Sequence, residues 1–171
     1  MNEVLNNIIT RRSVRAFTDE QIKDDDLQLI LKAGIYAPSG MNRQSWRFTV
    51  VQNAQIIEKL ENLIKTALGR EKYNMYGCKT IIMLSNDRDN SNGLADCACA
   101  LQNIFLAANS LGIGSCWINQ LKTICDEPQI RSMLTQLEIP ANHIVWGIAA
   151  LGYPKANEPV KDRNMDVVKY F

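Results

Sequence analysis

The chain has 171 residues, enough to bury roughly 70% of its unfolded surface in one domain, and 46% hydrophobic with 22% charged residues excludes a disordered chain. A net charge of +1 gives no reason to expect nucleic acid or an anionic membrane as partner, so any basic cluster acts locally on one small anion. No apolar run reaches the ~18 residues that span a bilayer, and M-N-E-V-L-N-N-I-I lacks a signal-peptide core, so a soluble, cytoplasmic protein is expected.

In chain order, Asn2 to Ile9 reads as a short helix that breaks at an arginine cluster. A second helix begins at Asp24, Asp25 and Asp26, where carboxylates favour a helix N-terminus. Leu27, Ile30, Leu31, Gly34 and Ile35 carry its helical period, Ile22 is placed to staple its start, and Pro38 ends it. W-R-F-T-V-V from Trp46 is a strand, and Ala54 to Leu68 is a helix with Ile57, Leu60 and Ile64 on one face. T-I-I-M-L from Thr80 is a buried strand, followed from Ser85 by a polar loop, S-N-D-R-D-N-S-N-G.

Leu94 to Leu111 is the clearest helix, with Leu94, Cys97, Leu101, Ile104, Phe105 and Ala108 on its apolar face and Gly112 as its stop. Strands at 113–118 and 144–151 enclose a further helix near 127–137. The tail from Pro154 is polar. Without a strict βαβ rhythm, this order indicates a single α+β domain over residues 1–171.

Arg11-Arg12-Ser13-Val14-Arg15 places Arg11, Ser13 and Arg15 on one face of an extended segment, with Arg12 and Val14 on the other. Forked guanidinium donors around a hydroxyl suit a phosphate or carboxylate, although a solvated basic turn would read the same in isolation. Pro38, Ser39, Gly40 and Asn42, within P-S-G-M-N-R-Q-S-W, form a loop whose neutral polar groups suit a heterocycle edge or a sugar chain. In L-G-I-G-S-C-W-I-N, the glycines at 112 and 114 allow close backbone approach to a ligand.

Five cysteines, with no CxxC pair, indicate reduced thiols. Cys116 reads as a buried strand residue rather than a nucleophile, and Cys97 and Cys99 point in different directions from one helix. One histidine leaves no zinc-type ligand set, and no metal is expected. Lys161 and Arg163 add two cations near the terminus, which read locally as solvated.

The order of these motifs is more specific than any one of them. R-R-S-V-R, then A-P-S-x-x-N-x-Q-x-W, then an Ala-rich helix into L-G-I-G-S-C-W-I, then G-I-A-A-L-G-Y-P and K-x-R, resembles the nitroreductase family of flavin enzymes from about Ile8 to Arg163. The resemblance implies a central mixed sheet flanked by helices, an intertwined homodimer, and one FMN at each of two subunit interfaces. It also implies ping-pong redox chemistry: NADH or NADPH gives hydride to flavin N5, and a flat acceptor such as a nitroaromatic or quinone then takes its place.

Carried over residue by residue, Arg11, Arg12, Ser13 and Arg15 match the segment for the FMN phosphate and ribityl chain, with Arg15 toward the pyrimidine edge. Pro38, Ser39, Gly40 and Asn42 match the loop that a partner subunit lays against the flavin. Trp117, Ile118, Asn119 and Gln120 match the stretch whose backbone lines the ring near N5, and Lys161 and Arg163 match the basic pair that closes on the phosphate. The flavin carries the chemistry, so no side chain is assigned as catalytic; Arg15 and the Asn119 backbone tune it.

Three departures stand out. Ser45 occupies the usual position of Pro before Trp46, which is expected to loosen the loop. The link from Leu84 to Leu94 is too short for the covering excursion of longer relatives, implying an open acceptor site. No firm match exists around 70–77 for the polar residues that those relatives aim at the ring, though Arg70 or Lys72 could substitute. The alternatives to a nitroreductase-like activity are specialised flavin chemistry, such as reductive dehalogenation, and a flavin-binding storage or sensor protein with little turnover.

Overall fold

Apolar runs and helical periods become α1 (Glu3–Thr10), α2 (Asp24–Ile35), β1 (Arg47–Val51), α3 (Ala54–Ala67), β2 (Thr80–Asp87), α4 (Gly93–Ser110), β3 (Gly114–Ile118), α5 (Pro128–Gln136) and β4 (His143–Gly152). The computed structural model describes residues 1–156 and 159–171. The four strands form one sheet in the order β1-β2-β4-β3, every pair antiparallel. The parallel contribution to this α+β fold is an isolated bridge between Ser13 and Ser115.

Strand β2 explains why the sheet is central. Its side chains alternate between two cores: Ile81 and Met83 on one face, Ile82 and Leu84 on the other. The first face packs against Ile57, Leu60 and Ile64 of α3 and Ile130, Met133 and Leu134 of α5. The second packs against Leu27 and Ile30 of α2 and Cys97, Ala100, Leu101 and Ile104 of α4. A strand buried on both faces has no polar side to show, hence the unbroken run I-I-M-L.

Two local expectations change. The strand does not stop at Leu84; after a register shift between Leu84 and Ser85 it continues to Asp87 opposite His143. Remote partners make this possible: Ser85 Oγ and His143 Nδ1 are 3.0 Å apart, and Ser45 Oγ donates to Asn86 Oδ1 at 3.0 Å. Buried polar side chains with partners cost little, so the polar S-N-D run is accommodated in a strand. Leu94, expected on the apolar face of α4, is 47% exposed; Gly93, Asp96 and Cys97 face inward instead.

Helix α1 has an Asn2 N-cap accepting from Leu5 N–H at 2.9 Å, yet it buries no residue. Amide hydrogen bonds hold it to α4: Asn7 Nδ2 donates to Leu106 O at 2.9 Å, and Asn109 Nδ2 donates to Asn7 Oδ1 at 2.6 Å. Val4, Leu5, Ile8 and Ile9 are thereby left exposed on one short helix. Among the described residues, no helix is long and apolar enough to cross a membrane.

Candidate functional site

The arginine segment leaves α1 in an extended conformation and lies along the free edge of β3. Arg11 caps α1 through its N–H to Asn7 O, and Val14 N–H donates to Ser115 O at 2.9 Å. The extended backbone separates the side chains only in part. Arg11 and Arg15 both act electrostatically on Cys116 and Val14 lines a different cavity of 360 Å³ with Gly114 and Asn109, whereas Arg12 lines both that cavity and the cleft onto which Arg11 opens. Burial nonetheless pushes the Cys116 thiol upward, so the neighbouring guanidiniums do not make it a ready nucleophile.

Arg11 opens onto a cleft of 660 Å³ lined by Ile8, Ile9, Arg12, Gln102, Val160, Lys161, Asp162, Arg163 and Met165. The distant basic pair therefore meets the arginine cluster. Burial, then the Arg12 and Arg163 charges, lowers the Arg11 pKa, which marks a place where positive charge converges at a cost. Among the described residues Arg11, Lys161 and Arg163 form no ion pair. Arg12 differs: its guanidinium donates to Ile9 O at 2.8 Å, Arg11 O at 2.6 Å and Pro159 O at 3.1 Å. It therefore ties the end of α1 to the C-terminal segment.

The loop after α2 is stiff rather than loose. Gly40 N–H donates to Asp96 Oδ1 at 2.8 Å, and Gln44 N–H donates to Ser39 Oγ at 3.1 Å. Ser45 Oγ, besides donating to Asn86, accepts from Asn90 Nδ2 at 3.2 Å. The expected loosening at this position is thus offset, because the hydroxyl ties the loop to the end of β2. Met41, Asn42 and Gln44 all have positive φ, strain that this network sustains. Pro38 and Asn42 are exposed, and Ser39 and Gly40 half-buried. None of the four lines the arginine cleft of its own chain.

At the end of β3, Trp117 is 40% exposed and lies 6.2 Å from Phe105, centroid to centroid, while Ile118 is buried. Gly147 of β4 permits this placement: a Cβ there would stand 2.6 Å from both Trp117 Nε1 and Leu101 Cδ1. Asn119 is exposed and Gln120 starts a short 3-10 turn ending at Thr123.

A second cleft, of 280 Å³, joins Trp117, Ile118 and Gln120 to Arg70, Lys72, Tyr73, Asn74 and Tyr76. Sequence reasoning assigned Trp117, Ile118 and Gln120 and named Arg70 or Lys72 as possible substitutes, but it did not single out Tyr73, Asn74 or Tyr76. Their one local signal was Y-N-M-Y followed by Gly77, and the structure shows the backbone turning there, with φ +64 at Tyr76 and +71 at Gly77. Tyr73 OH donates to Gln120 Oε1 at 3.5 Å, and burial raises its pKa.

Comparison with known proteins shows the family. Residues 8–74 and 65–153 match the Nitroreductase family. A crystal structure of a nitroreductase with bound FMN from Bacteroides fragilis is 44% identical, covers 100% of each chain and superposes with a TM-score of 0.96. Another with bound FMN, from Desulfitobacterium hafniense, is 30% identical with a TM-score of 0.92 and covers 100% of this chain and 99% of its own. An Archaeoglobus fulgidus protein provisionally named NADH dehydrogenase/NAD(P)H nitroreductase is 36% identical over 160 residues, 91% of this chain and 87% of that one. The chain belongs to the nitroreductase family.

Proposed function

We propose that this protein is an FMN-dependent NAD(P)H oxidoreductase, a single domain over residues 1–171, that works as a cytoplasmic homodimer and reduces a flat acceptor in ping-pong order. The observation that carries the reading is the meeting of Arg11, Lys161 and Arg163 in one cleft, where Asp162 is the only carboxylate among the described lining residues. That donor set fits a phosphate dianion. FMN, when bound, supplies a ring able to take hydride from a nicotinamide and pass electrons to a second molecule.

The chain's part is binding and positioning. Arg11, Lys161 and Arg163 hold the phosphate, and Ser13 faces the sugar chain. Arg15, exposed and on the Cys116 side of the segment, is available to the pyrimidine edge, where a fixed cation stabilises the negative charge of reduction. Arg12 keeps the segment in place rather than gripping the ligand. The backbone from Trp117 to Gln120 lines the ring.

Two features support a dimer. The 38–42 loop stands apart from its own arginine cleft, in keeping with service to a partner's site. Apolar side chains exposed on α1, together with Met165, Val167, Val168, Tyr170 and Phe171 of the tail, also need cover. The relatives named above bind FMN or carry the NAD(P)H nitroreductase name, which favours the same reading.

Desalting after incubation with FMN tests it. One flavin should be retained per chain in a dimer, with a flavin absorption spectrum. Protein that cannot be loaded overturns the proposal.

A further inference from the structure

The 38–42 loop is shaped by its own bonds but anchored by a carboxylate from another element. Asn42 N–H donates to Ser39 O at 2.9 Å, Arg43 N–H to Gly40 O at 3.2 Å, and Gln44 Nε2 to Asn42 Oδ1 at 2.8 Å. All of these bonds stay within the loop and its end. They leave Met41, Asn42 and Gln44 in the left-handed region, which residues with a Cβ disfavour. Holding that shape against α4 falls to Asp96, whose Oδ1 accepts from Gly40 N–H at 2.8 Å.

A buried carboxylate is an unfavourable anchor unless its bonds are strong. Asp96 is 4% exposed, and among the described residues it forms no ion pair. Its place in the first turn of α4 favours the charge, and Asn90 Nδ2 donates to its Oδ2 at 3.3 Å. The same Asn90 amide donates to Ser45 Oγ at 3.2 Å, so this pair holds both ends of the loop. Both carboxylate oxygens thus face donors. An asparagine in this place would turn an NH2 group toward one of them. An ionised acceptor also makes these bonds about twice as strong as a neutral one.

We propose that Asp96 is a positioning residue for the flavin site of the partner subunit. From α4 of one chain it fixes the 38–42 loop, and that loop meets the flavin held by the other chain's arginines. The inference rests on the reading that the protein is an FMN-binding dimer whose loops cross between sites. The effect of Asp96 then falls on the site of the chain that does not carry it. A defect confined to its own chain would not do this.

Asp96→Asn should lower FMN affinity about tenfold or more in a fluorescence titration, with the far-UV circular dichroism of the parent retained. The sharper sample is a mixed dimer of an Asp96→Asn chain and an Arg11→Ala/Arg163→Ala chain, purified through two different tags. Both defects then meet at one site, while the other site has parental arginines and a parental loop. Half of the sites should therefore bind FMN with parental affinity. Two weakened sites would mean that Asp96 acts only within its own chain, which overturns the proposal.

Should Asp96→Asn fail to fold, Asn90→Ala replaces it in both samples. This change keeps the carboxylate and removes its second donor together with the tie to Ser45. Affinity should fall about threefold or more, with the same division between sites in the mixed dimer. Parental affinity in the folded variant overturns the proposal. A parent that retains no FMN overturns the functional reading as well. A parent that retains it beside an equally tight Asp96→Asn variant overturns this inference alone.

Discussion

Replacing Arg11 and Arg163 together by alanine should lower FMN affinity by on the order of 10²–10⁴-fold while leaving the fold intact. A hydrogen bond to a charged group contributes about 1.5–3 kcal/mol, or roughly 10–150-fold for each residue. The two act on each other, since Arg163 helps lower the Arg11 pKa, so their effects should combine less than additively. Losing one also relieves repulsion on the other. Fluorescence titration of FMN measures the affinity, and far-UV circular dichroism checks the fold. Lys59→Ala on the outer side of α3 removes one positive charge away from the cleft and should change affinity by less than about twofold. Unchanged binding in the double variant would remove the phosphate assignment.

The second large effect requires no ligand-facing side chain. A Cβ on Gly114 would stand 2.8 Å from Val14 Cγ2, 2.9 Å from its Cβ and 3.0 Å from its Cγ1. Val14 is 8% exposed and β-branched, so it has little freedom to turn aside. Gly114→Ala should therefore push the whole 11–15 segment off β3, at a cost of about 1–3 kcal/mol in stability. FMN affinity should fall at least tenfold too, because Arg11 and Arg15 travel with Val14. Thermal unfolding and the same FMN titration would show both losses. Lost stability with unchanged FMN binding would mean that the segment does not position the cofactor.

These predictions show how the site's parts differ in legibility. The β2 run could be read directly because burial on both faces leaves an unbroken apolar stretch, and the α4 period because a buried helix face recurs regularly in sequence. The Ser85–Asp87 extension could not, since Ser85 Oγ and Asn86 Oδ1 find their partners in His143 and Ser45, residues far away in the chain. The same holds for Ser45, where a missing proline suggested looseness and its hydroxyl contacts supply the restraint instead.

For the site, motif order carried the family resemblance, and the fold places Lys161 and Arg163 in one cleft with Arg11. Arg12 matched the motif, but its contacts are to main-chain carbonyls, a distinction that residue type cannot reveal. Arg70 and Lys72 could be named only as candidates, and Tyr73 and Tyr76 stayed hidden, because this wall becomes a cleft only against Trp117 and Gln120.

The central claim is that electrons pass from a nicotinamide through bound FMN to an acceptor. Anaerobic stopped-flow absorbance tests it most directly, mixing the FMN-loaded protein with NADH or NADPH and then with a nitroaromatic or a quinone. The account predicts bleaching of the flavin band in the first mix and its return in the second. A flavin that stays bound and oxidised with both donors would contradict the account and leave a flavin-binding protein without turnover.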